Sequence, residues 1–495
     1  MAGNSTASWA ATLLTATSAV AQMPFVKMSD HALSERMDRG MKMSEHALSK
    51  RMDRGTGLDL QRALATGLRD DTCELLGLAR YGQDVPGGGT LVSIAFADGE
   101  SINSMGRIAF VSRVGGAERN QGIFSAGGDG LVPIVMGCGG GGGSGVPGSG
   151  CGDPSPIGGT FSGLFPGTPP SPPPINDSGD VLFIADIDGG SSPRGLFLYQ
   201  ADTGDIRKVA AVGDSSPLGG SFSAIGPGSI NNSRQVVFLA LTGASTDGNL
   251  FLWDDGAVSK VVAVGDPAPG GGVFWAIGTE RFGYVDGTMM PTGPLGAIND
   301  LGQISFRAYV TAGEALGGIF LSDGTTHQWY VKYGDPTPMG GTYADFAAPS
   351  LNNAGEVAFF SDVSVGSDLT SAWFAGSPGS WRKALAFFDP VDDGQVRGLA
   401  YSRNPVTPLN DAGRLLLWTT IRTGSVDQER LVISEPDGSV STVVREGDVA
   451  PFGGRIGSIH PWPSLKNDGQ GTVGASTPGA PGVFNAFMVF QSCTP

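Results

Sequence analysis

The sequence is poor in the residues from which most metal and nucleophilic centres are built. It contains four cysteines and four histidines in 495 residues, and no two histidines in its repeated part have a metal-ligand spacing. It also lacks a Gly-x-Ser-x-Gly elbow with credible partner residues. A metalloenzyme or a serine hydrolase is therefore not expected, whereas a glycosidase that gathers two carboxylates from separate repeat units is kept as an alternative.

Positive charge and long apolar runs are also scarce. Lys and Arg number 31 against 47 Asp and Glu, which gives a net charge of -16 and a pI near 4.6. Phosphate backbones bind basic surfaces, so a nucleic-acid partner is excluded. No apolar run approaches the roughly 20 residues of a membrane helix. The 80 glycines accompany a hydrophobic content of 40 %, which indicates a folded β protein rich in turns rather than a low-complexity chain.

One unit occurs seven times between Asp71 and Pro495, and it combines an Asn-x-x-Gly turn, an apolar strand and a second strand with an aromatic residue. The turns share an aligned position, which holds Asn103, Asn176, Asn231, Asn299, Asn352, Asn410 and finally Lys466. Seven residues later each unit has an apolar residue, namely Phe110, Phe183, Phe238, Phe306, Phe359, Leu417 and Val473. Periods of roughly 50 to 70 residues with three or four short strands are typical of propellers. The pattern predicts an all-β, seven-bladed β-propeller over residues 71–495.

A second loop precedes each turn, and most copies read Gly-Asp-x-x-Pro followed by a glycine pair. Its aspartates are Asp84, Asp153, Asp214, Asp266, Asp335, Asp389 and Asp448. Aspartate in such loops usually fixes a turn by accepting hydrogen bonds from its own backbone, so structural turns are expected. Calcium binding is the alternative, because Ca²⁺ takes roughly six to eight oxygen ligands. The residues concerned would be Asp214, Asp266, Asp335 and Asp448.

The two ends of the repeated region predict how the ring closes. The last unit stops before its final strand, and the orphan segment 73–84 ahead of the first unit matches the missing piece. The N-terminal strand should therefore complete the last blade, with Cys73 bonded to Cys493 across the junction. Cys138 and Cys151 bracket a glycine-rich insertion and form the second expected disulfide, with four free thiols as the alternative. Disulfides would place the chain in an oxidising compartment.

Residues 1–70 differ from the rest of the chain. Residues 1–22 hold an apolar run that ends in Ala-Val-Ala, as before a signal-peptidase site, although no basic residue precedes it. Residues 23–70 contain a duplicated motif, residues 28–40 and 43–55, whose ends have the caps of short helices. Helices of this length need a surface on which to pack. A short helical arm is therefore predicted ahead of the propeller.

This arm is weakly basic and rich in methionine, whereas the propeller is acidic. Met and Leu make adaptable apolar contacts, and opposite charge would orient docking between subunits. A flexible spacer is the alternative. The two histidines of the arm have no nearby partners for a metal, and neither a metal nor a cofactor is predicted. The predicted assembly residues are Met28, His31, Leu33, Met37, Met43, His46, Leu48 and Met52.

The units differ most in two insertions, residues 137–151 and 280–295. The second reads ERFGYVDGTMMPTGPL. Loops of this kind often carry binding residues, while an ordinary variable loop is the alternative. Its candidate binding residues are Arg281, Phe282, Tyr284, Met289 and Met290.

The repeat resembles a family of bacterial exported surface proteins. Residues 352–359 read NNAGEVAF and fit the Asn-x-x-Gly-x-x-x-Ala-Phe motif for which those tandem-repeat proteins are named. The resemblance covers nearly all of residues 71–495 and implies an exported, β-propeller-like protein, although no C-terminal sorting tail is visible here.

The sequence thus predicts an extracellular or cell-surface protein with a structural or interaction role and no enzymatic activity. Its expected partner is itself, in a homo-oligomer or a filament, or a cell-surface component reached through the N-terminal arm. A monomeric glycan- or protein-binding propeller on a flexible stalk is the alternative.

Overall fold

The structure is a computed structural model that describes residues 73–93, 101–139, 150–164, 172–243, 248–278, 282–285, 288–291, 296–400, 408–461, 463–477 and 485–490. The chain divides into two compact units, residues 1–70 and 71–495, and all described residues belong to the second. They contain 33 strands and no α-helix, hence no helix long and apolar enough to cross a membrane. The predicted leader and helical arm, with the eight assembly residues, lie outside the described residues.

Hydrogen bonding groups the strands into seven antiparallel blades that follow one another along the chain, apart from β1 (Leu75–Arg80). Blade 1 contains β2 (Thr90–Ser93), β3 (Ser101–Ile102), β4 (Ile108–Gly115), β5 (Gln121–Gly127) and β6 (Gly130–Gly137). Blade 2 contains β7 (Thr160–Gly163), β8 (Val181–Asp188), β9 (Arg194–Tyr199) and β10 (Ile206–Ala211). Blade 3 contains β11 (Phe222–Ile230), β12 (Val236–Thr242), β13 (Gly248–Asp254) and β14 (Ala257–Val262).

Blade 4 has an extra hairpin within its first strand. It contains β15 (Val273–Ile277), the hairpin of β16 (Phe282–Val285) and β17 (Thr288–Pro291), then β18 (Gly296–Ile298), β19 (Ile304–Thr311), β20 (Gly317–Ser322) and β21 (His327–Lys332). Blade 5 contains β22 (Thr342–Phe346), β23 (Ser350–Leu351), β24 (Val357–Val365), β25 (Asp368–Gly376) and β26 (Arg382–Ala386). Blade 6 contains β27 (Pro390–Val391), β28 (Gly394–Leu399), β29 (Leu415–Thr423), β30 (Val426–Ser434) and β31 (Val440–Arg445). Blade 7 contains β32 (Gly471–Ala475), β33 (Ala486–Phe490) and β1.

Seven apolar clusters, each shared by two consecutive blades, hold the ring together. Val237 of blade 3, for example, packs with Phe274 of blade 4. The last cluster joins Leu78 and Phe487 of blade 7 to Phe110 of blade 1. Because every blade buries both of its faces against neighbours, the middle strands are apolar on both faces, as in the wholly buried β5. The fold is a closed, seven-bladed β-propeller, as the sequence predicts.

The N-terminal strand completes blade 7. β1 pairs antiparallel with β33, with Leu75 opposite Phe490, and β33 pairs with β32. Cys73, just ahead of β1, is disulfide-bonded, and its predicted partner Cys493 lies outside the described residues. The predicted disulfide between Cys138 and Cys151 is confirmed, with the two Cα atoms 6.0 Å apart.

The recurring aromatic residue of the third strand packs on the recurring Phe of the second. In five blades the two rings lie opposite each other with centroids 5.4 to 5.7 Å apart. Such pairs contribute about 0.5 to 1.5 kcal/mol beyond the burial of their surface. The pairs are Phe110–Phe124, Phe183–Phe197, Phe238–Phe251, Phe306–Phe320 and Phe359–Phe374.

The first strand of each blade lines the axis of the ring and runs from a Gly-Asp loop to an Asn turn. We term the face with the Gly-Asp loops the upper face and the face with the Asn turns the lower face. On the lower face, the side-chain oxygen of Asn103 accepts the N–H groups of Met105 and Arg107 in its own turn. The same Asn side chains also join the blades. Each Nδ2 donates to the backbone carbonyl of the aligned residue in the next blade at 2.9 to 3.2 Å, in the order Asn103, Asn176, Asn231, Asn299, Asn352, Asn410 and Lys466.

A second ring of hydrogen bonds surrounds the same axis, formed by the residues that follow these asparagines. Each backbone N–H donates to the side-chain oxygen of the next member at 2.7 to 2.8 Å, from Ser104 through Asp177, Asn232, Asp300, Asn353 and Asp411 to Asn467. Aspartate and asparagine alternate, so each Asn amide donates to a neighbouring carboxylate. The recurring turns are therefore structural residues that fasten the blades together on the lower face.

Candidate active site

On the upper side of the ring, the first strands share a β-bulge. In six blades the pairing with the second strand shifts by one residue at the same position. Bulges re-aim a side chain and are common next to functional sites. The bulged residues, in blade order, are Val92, Ser162, Ser223, Trp275, Ala344 and Arg397.

We term these six bulged residues the bulge ring. Its two large side chains belong to blades 4 and 6. Trp275 of blade 4 is 48 % exposed, whereas most other members are small. The residue after the bulge is Ser, Gly or Ala in five of the six blades and Asp345 in blade 5. The ring therefore presents an aromatic surface, a carboxylate and a guanidinium on three consecutive blades.

Behind Asp345 lies a charged residue at a position that is otherwise apolar. Arg307 follows the recurring Phe306 on β19, and the side chain of Arg307 is only 8 % exposed. It lies on the face of blade 4 that meets blade 5, where the repeat predicts a hydrophobic contact. The equivalent residues are Val111, Ile184, Leu239, Phe360, Trp418 and Gly474.

Three neighbouring groups accept hydrogen bonds from Arg307. Its Nη2 donates to Asp345 Oδ1 at 2.8 Å and to the Tyr333 hydroxyl at 3.1 Å, and it also contacts the Tyr309 hydroxyl. Tyr333 in turn donates to Asp345 Oδ1 at 2.9 Å, and the backbone N–H of Phe346 donates to the same oxygen at 2.8 Å. Oδ1 is thus held by three donors, while the Asp345 side chain stays 40 % exposed.

Aromatic rings pack against one another within this cluster. The Tyr309 and Tyr333 rings stack with centroids 5.7 Å apart, and Trp275 lies 5.4 Å from Tyr309. The guanidinium of Arg307 lies 4.9 Å from the centre of the Tyr309 ring. The two phenols are therefore fixed in place rather than free to rotate away from Asp345.

Burial sets the protonation of the cluster. Burial alone would lower the pKa of Arg307, but its interactions with the Tyr333 hydroxyl and the Asp345 carboxylate outweigh burial and raise the pKa above its ordinary value. Burial raises the pKa of the Tyr333 hydroxyl well above 10.0, although the Arg307 charge acts in the opposite direction. At neutral pH the site thus holds a charged guanidinium and a protonated phenol beside a carboxylate, which gives it a proton donor and a proton acceptor.

The sequence predicted none of the five residues of this site, because none of them forms a local motif. The five residues are Trp275, Arg307, Tyr309, Tyr333 and Asp345. The signal was in the alignment of the units, where Arg307 is the one charged residue in a column of apolar residues and Gly. Asp345 similarly stands among Ser, Gly and Ala.

The residues that the sequence did single out lie elsewhere. Asp214, Asp266, Asp335 and Asp448 belong to four separate upper loops, and each accepts the N–H of the residue three positions earlier at 2.8 to 2.9 Å. Among the described residues, no group of three or more His, Cys, Asp or Glu is arranged to hold a metal. Phe282, Tyr284, Met289 and Met290 lie in the β16–β17 hairpin, while Arg281 lies outside the described residues.

The sequence profile of a family of unknown function, DUF7453, matches residues 52–317 and 297–486. No curated protein matches the chain. The resemblance to the NxxGxxxAF surface proteins is neither supported nor opposed by these comparisons and stays a prediction.

Several solved structures share the fold at low identity. The polysaccharide lyase Uly1 is 9 % identical, with a TM-score of 0.39 over 85 % of this chain and 99 % of that protein. A PL25 ulvan lyase bound to -[GlcA(1-4)Rha3S]- is 10 % identical, with a TM-score of 0.35 over 85 % of this chain and 96 % of that one. A GH74 xyloglucanase from Xanthomonas campestris is 9 % identical, with a TM-score of 0.35 over 85 % and 67 %.

These three structures are enzymes, namely two polysaccharide lyases and a xyloglucanase. The prediction that the chain is not an enzyme is replaced in the proposal below, which rests on the residues around Asp345. The predicted role as a structural subunit that assembles into filaments or attaches to the cell surface is corrected with it, as is the stalked binding propeller. Histidines and local motifs do not mark this cluster, because its unusual residues come from separate strands and loops of blades 4 and 5.

Proposed function

The chain belongs to the DUF7453 family, whose function is unknown, and we propose that it is a carbohydrate-active enzyme that cleaves a glycan at the upper mouth of the ring. The observation that carries this proposal is the cluster of Arg307, Tyr309, Tyr333 and Asp345. Arg307 and Asp345 stand where the other blades have apolar or small residues, and with the two phenols they form a cluster of a buried cation, two hydroxyls and a partly exposed carboxylate. The Cys138–Cys151 disulfide supports a location in an oxidising compartment outside the cytosol.

The arrangement suits a sugar polymer. The exposed ring of Trp275 offers an apolar surface on which the C–H face of a sugar can stack. Asp345 and the two tyrosines supply an acceptor and donors for hydroxyl groups beside that surface. Such a combination of an apolar surface with a few fixed polar groups is typical of ligand sites.

Cleavage of a glycosidic bond needs one proton to be removed and another to be given to the leaving oxygen. We assign the first task to Asp345, whose Oδ1 is anchored by three donors and whose side chain faces solvent. We assign the second to Tyr333, which keeps its proton at neutral pH. Arg307 acts as a positioning residue that fixes the carboxylate and both hydroxyls. General acid and base groups of this kind contribute roughly 100- to 10,000-fold each.

The test is to incubate the full-length protein with neutral and acidic polysaccharides and to measure both new reducing ends and the ultraviolet absorbance of unsaturated sugars. Absorbance together with reducing ends indicates elimination, and reducing ends alone indicate hydrolysis. Asp345→Asn and Tyr333→Phe should each reduce turnover by at least roughly 100-fold. Both variants are nearly isosteric, and Tyr333→Phe leaves Asp345 Oδ1 with two of its three donors.

Tyr81→Phe is the matched control, because Tyr81 occupies the place of Tyr333 in the loop between blades 7 and 1. Its turnover should equal that of the unchanged protein. Equal turnover of Tyr333→Phe and Tyr81→Phe would place the reaction elsewhere, and the absence of cleavage of every polysaccharide would refute the proposal.

A further inference from the structure

The Gly-Asp loop of blade 6 has a residue other than glycine at a position whose backbone conformation favours glycine. Four of the other loops have a glycine with a positive φ directly before the aspartate, namely Gly213, Gly265, Gly334 and Gly447. Blade 6 has Phe388 in this place, with a φ of 69°. Residues other than glycine in this region cost about 1 to 3 kcal/mol, and strain of this kind concentrates at functional sites.

Phe388 is also exposed, which removes packing as the reason for its presence. Phe388 is 57 % exposed. Its backbone is nevertheless fixed to β28, because its N–H donates to Val396 O at 3.0 Å and its carbonyl accepts from Gln395 Nε2 at 3.0 Å. The backbone of Phe388 is therefore held in place at the upper face.

The residue that the Phe388 ring contacts is Arg397, the bulged residue of blade 6. Its guanidinium carbon lies 4.9 Å from the centre of the Phe388 ring. No described acidic side chain forms an ion pair with Arg397, and its Nε has no hydrogen-bond partner in the described part of the chain. Most other arginines of the blades, such as Arg194, Arg234 and Arg414, have a carboxylate partner.

A guanidinium that is stacked on an aromatic ring and forms no ion pair with any described carboxylate is prepared for an external anion. Its place in the bulge ring puts it one blade from Asp345 and two blades from Trp275. We infer that Arg397 on Phe388 forms a subsite for an anionic group of the glycan, a carboxylate or a sulfate ester. This inference rests on the proposed function and adds the substrate class, an acidic polysaccharide.

The net charge of the chain makes the inference testable, because a protein of charge -16 does not attract polyanions in general. Binding of an acidic glycan should depend on this one local cation. Two pairs of polymers separate charge from backbone chemistry, namely dextran sulfate with dextran, and polygalacturonate with its fully methyl-esterified form.

The experiment measures the affinity of the full-length protein for all four polymers by isothermal titration calorimetry, with Arg397→Gln and Arg80→Gln as variants. Arg80 is the matched control, because its guanidinium also lies on a phenylalanine, Phe452, at 5.6 Å. We expect the charged member of at least one pair to bind at least tenfold more tightly than its neutral counterpart. Arg397→Gln should remove this preference, and Arg80→Gln should leave it unchanged. Preference in only one pair identifies the group as sulfate or carboxylate.

Equal affinity for charged and neutral polymers would overturn the inference, as would equal effects of the two substitutions. Cleavage of a neutral polysaccharide that is unaffected by Arg397→Gln would overturn it while leaving the proposed function intact. The absence of binding and cleavage with every polymer would overturn both.

Discussion

Replacing Arg234 by glycine should destabilise the propeller, although glycine is the residue of the repeat at that position. Arg234 adopts a φ of 63° in the Asn turn of blade 3. The other six turns have glycine there, at φ values from 74° to 89°, namely Gly106, Gly179, Gly302, Gly355, Gly413 and Gly469. Considered alone, the turn would favour glycine by about 1 to 2 kcal/mol.

The opposing effect comes from a buried carboxylate in blade 2. The side chain of Asp180 is 0 % exposed, and Arg234 donates to it from Nε at 2.8 Å and from Nη2 at 3.2 Å. Asn176 Nδ2 and the N–H of Ala201 complete its partners, each at 2.9 Å. Removing one member of a buried ion pair costs about 3 to 5 kcal/mol, because a charge stays behind without its partner.

Arg234 is 31 % exposed, so the lower end of that range applies. The loss of the ion pair exceeds the gain from relieving the backbone strain in the turn. Arg234→Gly should therefore lower the free energy of unfolding by about 1 to 2 kcal/mol. Differential scanning calorimetry of the full-length protein would show this as a lower unfolding midpoint.

A double variant tests the reasoning. In blades 3 and 4 the residue in the place of Asp180 is a glutamine, Gln235 or Gln303, whose Oε1 accepts from the Asn of its own turn at 3.0 and 2.8 Å. Combining Arg234→Gly with Asp180→Gln rebuilds this uncharged turn and should recover the midpoint of the unchanged protein. The reasoning is wrong if Arg234→Gly raises the midpoint, or if the double variant is no more stable than Arg234→Gly.

Three further predictions concern the frame of the ring. Asn299→Ala removes the donor to the carbonyl of Asn352. A buried group left without its hydrogen bond costs about 1 to 3 kcal/mol, so the calorimetric unfolding midpoint should fall. An unchanged midpoint would contradict a stabilising role of the hydrogen bonds between Asn turns. Burial lowers the pKa of His460 from 6.5 to about 3. The unfolded chain therefore binds a proton that the folded chain does not, and stability should fall by about 1.4 kcal/mol per pH unit as the pH drops below 6.5, reaching its lower limit near pH 3. Urea unfolding measured across this pH range should show that the free energy of unfolding depends less on pH in His460→Gln than in the unchanged protein. An equal pH dependence in the two proteins would refute the lowered pKa of His460. Replacing Cys138 and Cys151 by serine opens a loop with a sequence separation of 13. This double variant should have a free energy of unfolding lower by about 3 kcal/mol. A chemically reduced sample of the unchanged protein should behave in the same way, and no change in either sample would contradict a stabilising role of the disulfide.

The repeat in the sequence was enough to predict the number of blades and the strand that closes the ring. Both depend on local signals, namely the turn chemistry of residues such as Asn352 and the order of apolar strands. The hydrogen bonds from one Asn turn to the next could not be predicted, because they join residues more than 50 positions apart, as between Asn299 and Asn352. Their geometry depends on how closely the blades approach the axis.

The candidate site was missed for a related reason. Tyr333 and Asp345 lie on either side of a Gly-Asp loop, but Arg307 belongs to the preceding blade, and only the packing of β19 against β22 brings the three together. The bulge that presents Trp275 and Arg397 leaves no mark in the sequence, since the bulged residues range from Ser to Trp. Comparison of the units column by column would have found Arg307, because a charge in an apolar column indicates either a functional group or a compensated defect.

The alternation of aspartate and asparagine on the lower face constrains how this protein can change its size. Blades 2 to 7 form three Asp–Asn couples, and Ser104 occupies the odd place at the seam where the chain ends meet. Loss of a single blade, for example the one with Asn232, would bring Asp177 and Asp300 side by side without an amide between them. Loss or gain of a couple would keep every carboxylate between two neutral partners. The ring should therefore tolerate the loss of an Asp–Asn couple better than the loss of a single blade that carries Asn232 or Asn353.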